Sequence, residues 1–203
     1  MMKMKKPFLL IGCICLVILI GIRIFQPSDE ENRTSIWHDG DLVARQVGAS
    51  MMNTVAVRQL AEQLPFSSEL KQVDVEGESL RLVYEVTGKE RQAWIGTDTG
   101  TLQVNQDFLK ARLSKVLMHH TLVLFSTIPD LTDLEIHYTD PYSGADFTMD
   151  RKTFDAYTPT DIERATSSSR RFNRVVIDGY VLDASRRNTF FERFASRLRI
   201  QTN

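Results

Sequence analysis

Residues 71–87, KQVDVEGESLRLVYEVT, carry the pattern that decides the fold class. Leu80, Leu82, Tyr84 and Val86 alternate with Arg81, Glu85 and Thr87. Successive side chains on a strand point to opposite faces, so the alternation describes a half-buried strand of an antiparallel sheet. Gly77 separates this run from Lys71–Glu76, which predicts a hairpin.

Helix and strand signals extend to both sides. Over Ala49–Leu64, residues Met52, Val55, Ala56, Leu60 and Leu64 recur at helical spacing, and Pro65 stops the run. Residues 92–96 and 101–104 flank the turn-rich TDTG at 97–100, a second hairpin signal. Asn105 or Asp107 can cap a long helix to about Thr127. Its stripe is Leu109, Leu113, Val116, Leu117, His120 and Leu124, and residues 122–125 are apolar on every side. Leu134, Ile136 and Tyr138 face one side of the next strand, 140–144 form a turn, and Phe147 and Met149 point inward from a further strand. Asp150 caps a helix ending near Tyr157. The expected fold is α+β: an antiparallel sheet with two or three helices packed on one face, plus one N-terminal transmembrane helix.

That last element rests on residues 8–22, FLLIGCICLVILIGI, which carry no charge and follow a basic start. Residues 7–25 suffice to cross a hydrocarbon layer of ~30 Å at ~1.5 Å per residue. Basic before and acidic after places the N-terminus in the cytoplasm and the rest outside. Arg-Ile-Phe-Gln at 23–26 offers no small-x-small cleavage site, so an uncleaved anchor is favoured over a signal peptide. Leu10-Ile-Gly-Cys13 resembles a lipobox, but the apolar core before Cys13 is short. The expected organisation is a tail at 1–6, an anchor at 7–25, a tether at 26–40, a domain at 41–158 and an Arg-rich extension at 159–203.

Composition sets outer limits. The 203 residues are 42% apolar, enough for a core, and two Cys cannot staple a disulfide scaffold. The net charge of −1 hides an acidic middle (12 basic and 21 acidic residues over 26–158) between two basic ends. Such a middle argues against nucleic-acid binding, which needs a positive face for phosphate.

In the last 45 residues, Thr160-Asp-Ile-Glu163 forms a capping box. Arg174–Leu182 reads as a strand or hairpin about Gly179. Asn188 reads as the cap of a last helix with Phe191, Phe194 and Leu198 inside. Nine Arg fall here, among them Arg186, Arg187, Arg193, Arg197 and Arg199, the candidate contacts for lipid headgroups or wall polymers.

The order of elements resembles a family of membrane-anchored extracytoplasmic proteins of Gram-positive bacteria, classed as a domain of unknown function. The likeness is carried by Val47-Gly48, Gln63-Leu-Pro-Phe66, Leu80-x-Leu-x-Tyr84 and Leu122-Val-Leu-Phe125-x-x-Ile128-x-x-Leu131, over about residues 42–158. It implies a single-pass tethered domain and carries over no catalytic residue.

The chemical signals are weaker. His119-His120 point about 100° apart on a helix and lack the i, i+4 spacing of a zinc site, so a buried structural histidine is the expected role of His120. Glu135, His137, Asp140, Ser143 and Asp146 place a Ser/His/Asp set near one turn, but Tyr142-Ser143-Gly144 lacks the first Gly of a nucleophile elbow. Asp140, Asp146 and Asp150 lack the rhythm of a calcium loop. His38-Asp-Gly-Asp41 is expected to be solvated in the tether. No phosphate loop or dinucleotide fingerprint occurs. No cofactor or metal is expected. The sequence favours a non-enzymatic domain that binds or regulates an envelope or membrane partner. An envelope hydrolase using residues 137–146 and a lipid- or polymer-binding module are the alternatives.

Overall fold

A computed structural model describes residues 37–87, 106–141, 143–158 and 160–202. The expected anchor and the expected tether up to residue 36 lie outside them, as do the hairpin expected at 92–104 and Tyr142. Among the described residues no helix is long and apolar enough to cross a membrane.

The described residues begin at Trp37, inside the stretch expected to be a tether, and Trp37 is already buried in the core. Helix α1 (Gly40–Gln46) and helix α2 (Thr54–Ala61) replace the single helix expected over 49–64. Two contacts break that run. Asp130 receives the Met51 amide at 3.0 Å and the Ser50 hydroxyl at 2.6 Å, and the Asn53 side chain caps α2 by accepting from the Ala56 amide. The buried stripe is therefore Val57, Leu60, Ala61 and Leu64, while Met52 and Val55 face solvent.

Strands β1 (Leu70–Glu76) and β2 (Ser79–Glu85) form the hairpin read from the sequence. Gly77 takes φ +60° as the first of its two loop residues, a backbone that glycine adopts at no steric cost. Helix α3 (Gln106–Thr127) lies on the long connection to β3 (Asp133–Asp140), which pairs with β2 in parallel. That pairing corrects the all-antiparallel expectation: a chain that returns through a helix re-enters the sheet in the direction it left. β4 (Ser143–Asp150) returns antiparallel to β3. Helix α4 (Arg151–Tyr157) follows directly, capped by Asp150 through the Thr153 amide at 2.7 Å.

The C-terminal segment is helical until its last strand. Helices α5 (Thr160–Ala165) and α6 (Ser169–Phe172) lead into a π-helix (Asn173–Val181). The strand or hairpin expected at 174–182 is thus overturned. Val176, Ile177, Tyr180 and Val181 bury one side of a wide helical turn, and this packing overrides the strand preference of the Val-Val-Ile run. Helix α7 (Ala184–Arg193) starts at Asp183, which accepts the Arg186 amide at 2.9 Å, and not at Asn188. β5 (Leu198–Thr202) then pairs with β4, so the mixed sheet has five strands in sequence order.

One sheet face carries Leu80, Leu82, Tyr84, Leu134, Ile136, Tyr138, Ala145, Phe147 and Met149, all buried. Helices cover it: the Tyr84 ring lies 5.7 Å from His120 of α3, and Phe147 lies 6.3 Å from Phe190 of α7. Phe172, Val176, Ile177, Val181 and Phe190 are fully buried in the same core. The described residues 160–202 of the expected extension are therefore part of the domain and not an appendage.

Arg151 ties sheet, α3 and α4 together. Its guanidinium donates to the carbonyls of Phe125 (2.9 Å), Ile128 (2.6 Å) and Leu131 (3.0 Å). Helix C-termini leave carbonyls without partners, and here one fork-shaped cation satisfies those at the end of α3 and in the turn beyond it.

Candidate functional site

The second sheet face is bare of helices among the described residues. Pairing registers place Gln72, Val83, His137, Asp146 and Arg199 in one row across it, and Asp74, Arg81, Glu135 and Thr148 in the next. His137 sits at the centre. Its Nδ1 lies 2.6 Å from Asp146 Oδ1, and its Nε2 lies 3.4 Å from Glu135 Oε2. Arg81 Nε approaches Glu135 at 4.0 Å, so the network runs from β2 to β4. Acidic side chains dominate: Asp74, Glu76, Glu85, Asp133, Glu135 and Asp146 against Arg81 and Arg199.

Strand alternation separates the Ser/His/Asp set. Ser143 is buried on the helix-covered side, where its amide and hydroxyl bond Asp140 at 2.7 and 2.9 Å. Asp140 also accepts the Tyr138 hydroxyl at 2.7 Å, so this group closes the β3–β4 turn. His137 and Asp146 lie on the opposite face. No rotamer of Ser143 delivers its hydroxyl through the sheet to His137, and what remains is a histidine between two carboxylates, Asp146 and Glu135. Asp140 and Asp146 likewise fall on opposite faces. Among the described residues no group of three His, Cys, Asp or Glu side chains could hold a metal ion.

The candidate arginines are scattered. Arg187 donates to the Val181 carbonyl at 2.6 Å and closes the π-helix. Arg197 pairs with Asp150 at 2.7 Å and bonds the Thr153 hydroxyl at 3.0 Å. Arg186 stacks on the Tyr180 ring at 4.2 Å and Arg193 on Tyr157 at 5.6 Å. Arg199 points from β5 onto the bare face. The aromatics beside them, Phe190, Phe191 and Phe194, are buried in the core and out of reach of a bilayer.

Both His119 and His120 are fully buried, as expected for His120. Their Nδ1 atoms are 3.2 Å apart. His119 Nε2 lies 3.3 Å from the Trp37 carbonyl, and Asp39 Oδ2 lies 3.2 Å from the same nitrogen. That carboxylate oxygen is off the N–H direction and is buried without a hydrogen bond. Burial first, and then the neighbouring His119, hold His120 well below the ordinary imidazole range. Burial, then Glu69, pushes the Tyr84 hydroxyl far above its usual value. Sequence reading missed the engagement of residues 37–40. The signal that could have found it is Trp37, a large aromatic in an otherwise polar stretch.

No family model, curated protein or solved structure matches the chain.

Proposed function

We propose that the protein is a membrane-anchored extracytoplasmic domain that binds an envelope or membrane partner through the bare face of its sheet, and in its sharper form senses or regulates that partner. The observation that carries this reading is the face itself: a cross-strand polar network of Arg81, Glu135, His137 and Asp146 displayed on a rigid five-stranded sheet. Its acidic excess suits a partner patch rich in Lys and Arg. The apolar run at 8–22 supports an anchor, and the likeness to tethered Gram-positive domains supports the same placement. The alternatives gain less. A hydrolase at 137–146 has no hydroxyl or thiol hydrogen-bonded to His137 among the described residues, and a lipid-binding C-terminus has its aromatics committed to the core.

Photo-cross-linking residues introduced at Thr139 and Thr148 on the bare face, in the native membrane, test the reading. A control position at Thr189 on α7 faces elsewhere. One dominant protein adduct from the first two positions, absent at Thr189 and weakened by Glu135→Lys, is expected. Identical adducts from all three positions, or none, would refute the assignment of the face. Labelling of Thr189→Cys by an impermeant maleimide on intact cells tests the topology separately.

A further inference from the structure

The arginines of the C-terminal segment divide by what holds them. Arg187 and Arg197 are hydrogen-bonded within the fold, and Arg186 and Arg193 lie over aromatic rings. Arg164, Arg170, Arg171 and Arg174 are exposed and make no ion pair, hydrogen bond or ring contact among the described residues. They fall within residues 164–174, a run that contains no Asp or Glu. Arg164 stands in the last turn of α5. Arg170 and Arg174 are one turn apart where α6 runs into the π-helix, and Arg171 is about 100° round from Arg170. Phe172 and Val176, on the inner side, are fully buried, so the arginines stand on the outer side. The flanking acids are Asp161, Glu163 and Asp178. Asp161 accepts the Tyr180 hydroxyl, and Asp178 faces His38 at 2.9 Å. Like charges at i, i+4 destabilise a helix, so the Arg170/Arg174 pair costs the fold stability and supports nothing inside it. An anion outside the fold accounts for the cluster, since guanidinium forks match phosphate oxygens.

The place of the cluster points to which anion. Helix α1 packs on α6 so closely that a Cβ at Gly40 would stand 2.2 Å from the Ser169 carbonyl oxygen. The Gly40 amide donates to Asn173 Oδ1 at 2.8 Å, and His38 meets Asp178 on the π-helix. The seat of Trp37–Gly40 is thus built by the same turn of helix that carries the arginines. The chain comes to this seat from the apolar run that ends at residue 25, and residues 26–36 between them reach at most about 40 Å. The exposed large apolar side chains among the described residues, Val47, Met52 and Val55, lie outside the arginine run, which therefore offers charge and no wedge for insertion.

We propose that Arg164, Arg170, Arg171 and Arg174 dock the domain on the anionic phospholipid headgroups of the bilayer that holds residues 7–25. The choice of a lipid surface over a free polyanion rests on the membrane reading above, which is what puts a bilayer at the chain's entry. The contact is electrostatic, and it differs in residues and in mode from a last helix lying in the bilayer. Phe172 and Val176 place the cluster in the helical layer, so docking leaves the bare sheet face open to a partner.

Energy transfer to lipid tests it. The full chain, with Cys13→Ser and Cys15→Ser, is reconstituted into phosphatidylcholine vesicles with or without phosphatidylglycerol, each containing a headgroup-labelled acceptor lipid. A donor dye is attached through an impermeant maleimide at Ser168→Cys, or at Thr148→Cys on the bare face as control. Transfer from 168 is expected to exceed that from 148 only where phosphatidylglycerol is present, and to fall to the 148 level in high salt. Each Arg→Gln substitution should lower the ratio of docked to undocked protein about fivefold, and the quadruple variant should match the parent in phosphatidylcholine. Equal transfer from both positions in phosphatidylglycerol vesicles, or an unchanged signal in the quadruple variant, would overturn the proposal. So would arginine-dependent retention of inorganic polyphosphate without any effect of phosphatidylglycerol, which would assign the cluster to a polyanion in solution. Flotation tests the membrane reading separately. A chain that floats with phosphatidylglycerol vesicles alone, and only with its four arginines intact, would refute the anchor and support the docking cluster.

Discussion

Removing the Arg151 guanidinium is the most demanding test of how this fold is held together. Arg151→Ala deletes three charge-assisted hydrogen bonds to the carbonyls of Phe125, Ile128 and Leu131. Ile128 O keeps the Leu131 amide at 3.3 Å, but the other two carbonyls lose their donor in a buried setting. Stranding a buried acceptor costs about 1–3 kcal/mol. The guanidinium also lies 4.6 Å over the Phe125 ring, and such a contact adds about 0.5–2 kcal/mol. The side chain is 22% exposed, so water can reach part of the wound and the sum is discounted. A loss of about 3–5 kcal/mol is expected, from a total stability of about 5–15 kcal/mol typical of a domain. In urea, with a slope of about 2 kcal/mol/M, the midpoint falls by roughly 2 M. Arg151→Lys keeps the charge but offers no fork, and should recover less than half. Lys152→Ala, one residue on and exposed, should stay within about 0.5 kcal/mol of the parent. A drop below about 1 kcal/mol for Arg151→Ala, or equal values for the Ala and Lys variants, would refute the capping argument.

Gly40→Ala places a Cβ 2.2 Å from the Ser169 backbone carbonyl oxygen, which a rotamer change cannot relieve, so about 1–3 kcal/mol is lost in thermal unfolding. Phe190→Ala empties a fully buried site packed on Tyr157 and Phe194, and should cost about 3–5 kcal/mol; a neutral result would mean that the C-terminal segment is dispensable to the core. Asp130 is held below the usual carboxylate range, first by the Ser50 hydroxyl and then by the Met51 amide. In Asp150 burial pushes upward, but the Thr153 hydroxyl and amide together with Arg197 outweigh it and the net shift is also downward. Both contributions are complete above the ordinary value near pH 4 and vanish as pH falls through the lowered one. Asp130→Asn should therefore flatten the acid limb of the stability profile below about pH 4, and an unchanged limb would contradict the assignment.

The elements that were legible in the sequence are those in which local pattern and burial agree. The β1–β2 hairpin needed only the alternation over 80–86 and the glycine between the strands. Helix α3 was legible because its apolar stripe continues into a stretch buried all round, and the Asp150 cap because an Asp three residues before a Thr satisfies a helix start by local bonding. The acidic middle of the chain also foretold an acidic surface, though not which one.

What the sequence by itself determined was the α+β class, the β1–β2 and β3–β4 hairpins, the long helix and the presence of a polar strand face around His137. Only the tertiary structure decided the rest. The parallel β2–β3 pairing depends on where α3 returns the chain, which no local pattern encodes. Asp130 reaches back about 80 residues to break the expected first helix. The Val-Val-Ile run became a π-helix because one of its sides had core to bury against, and Ser143 was parted from His137 because odd and even strand positions face opposite ways. The seat of Trp37–Gly40 joins residues 140 apart in the chain, His38 and Asp178, and contacts of that range exist only once the core has closed.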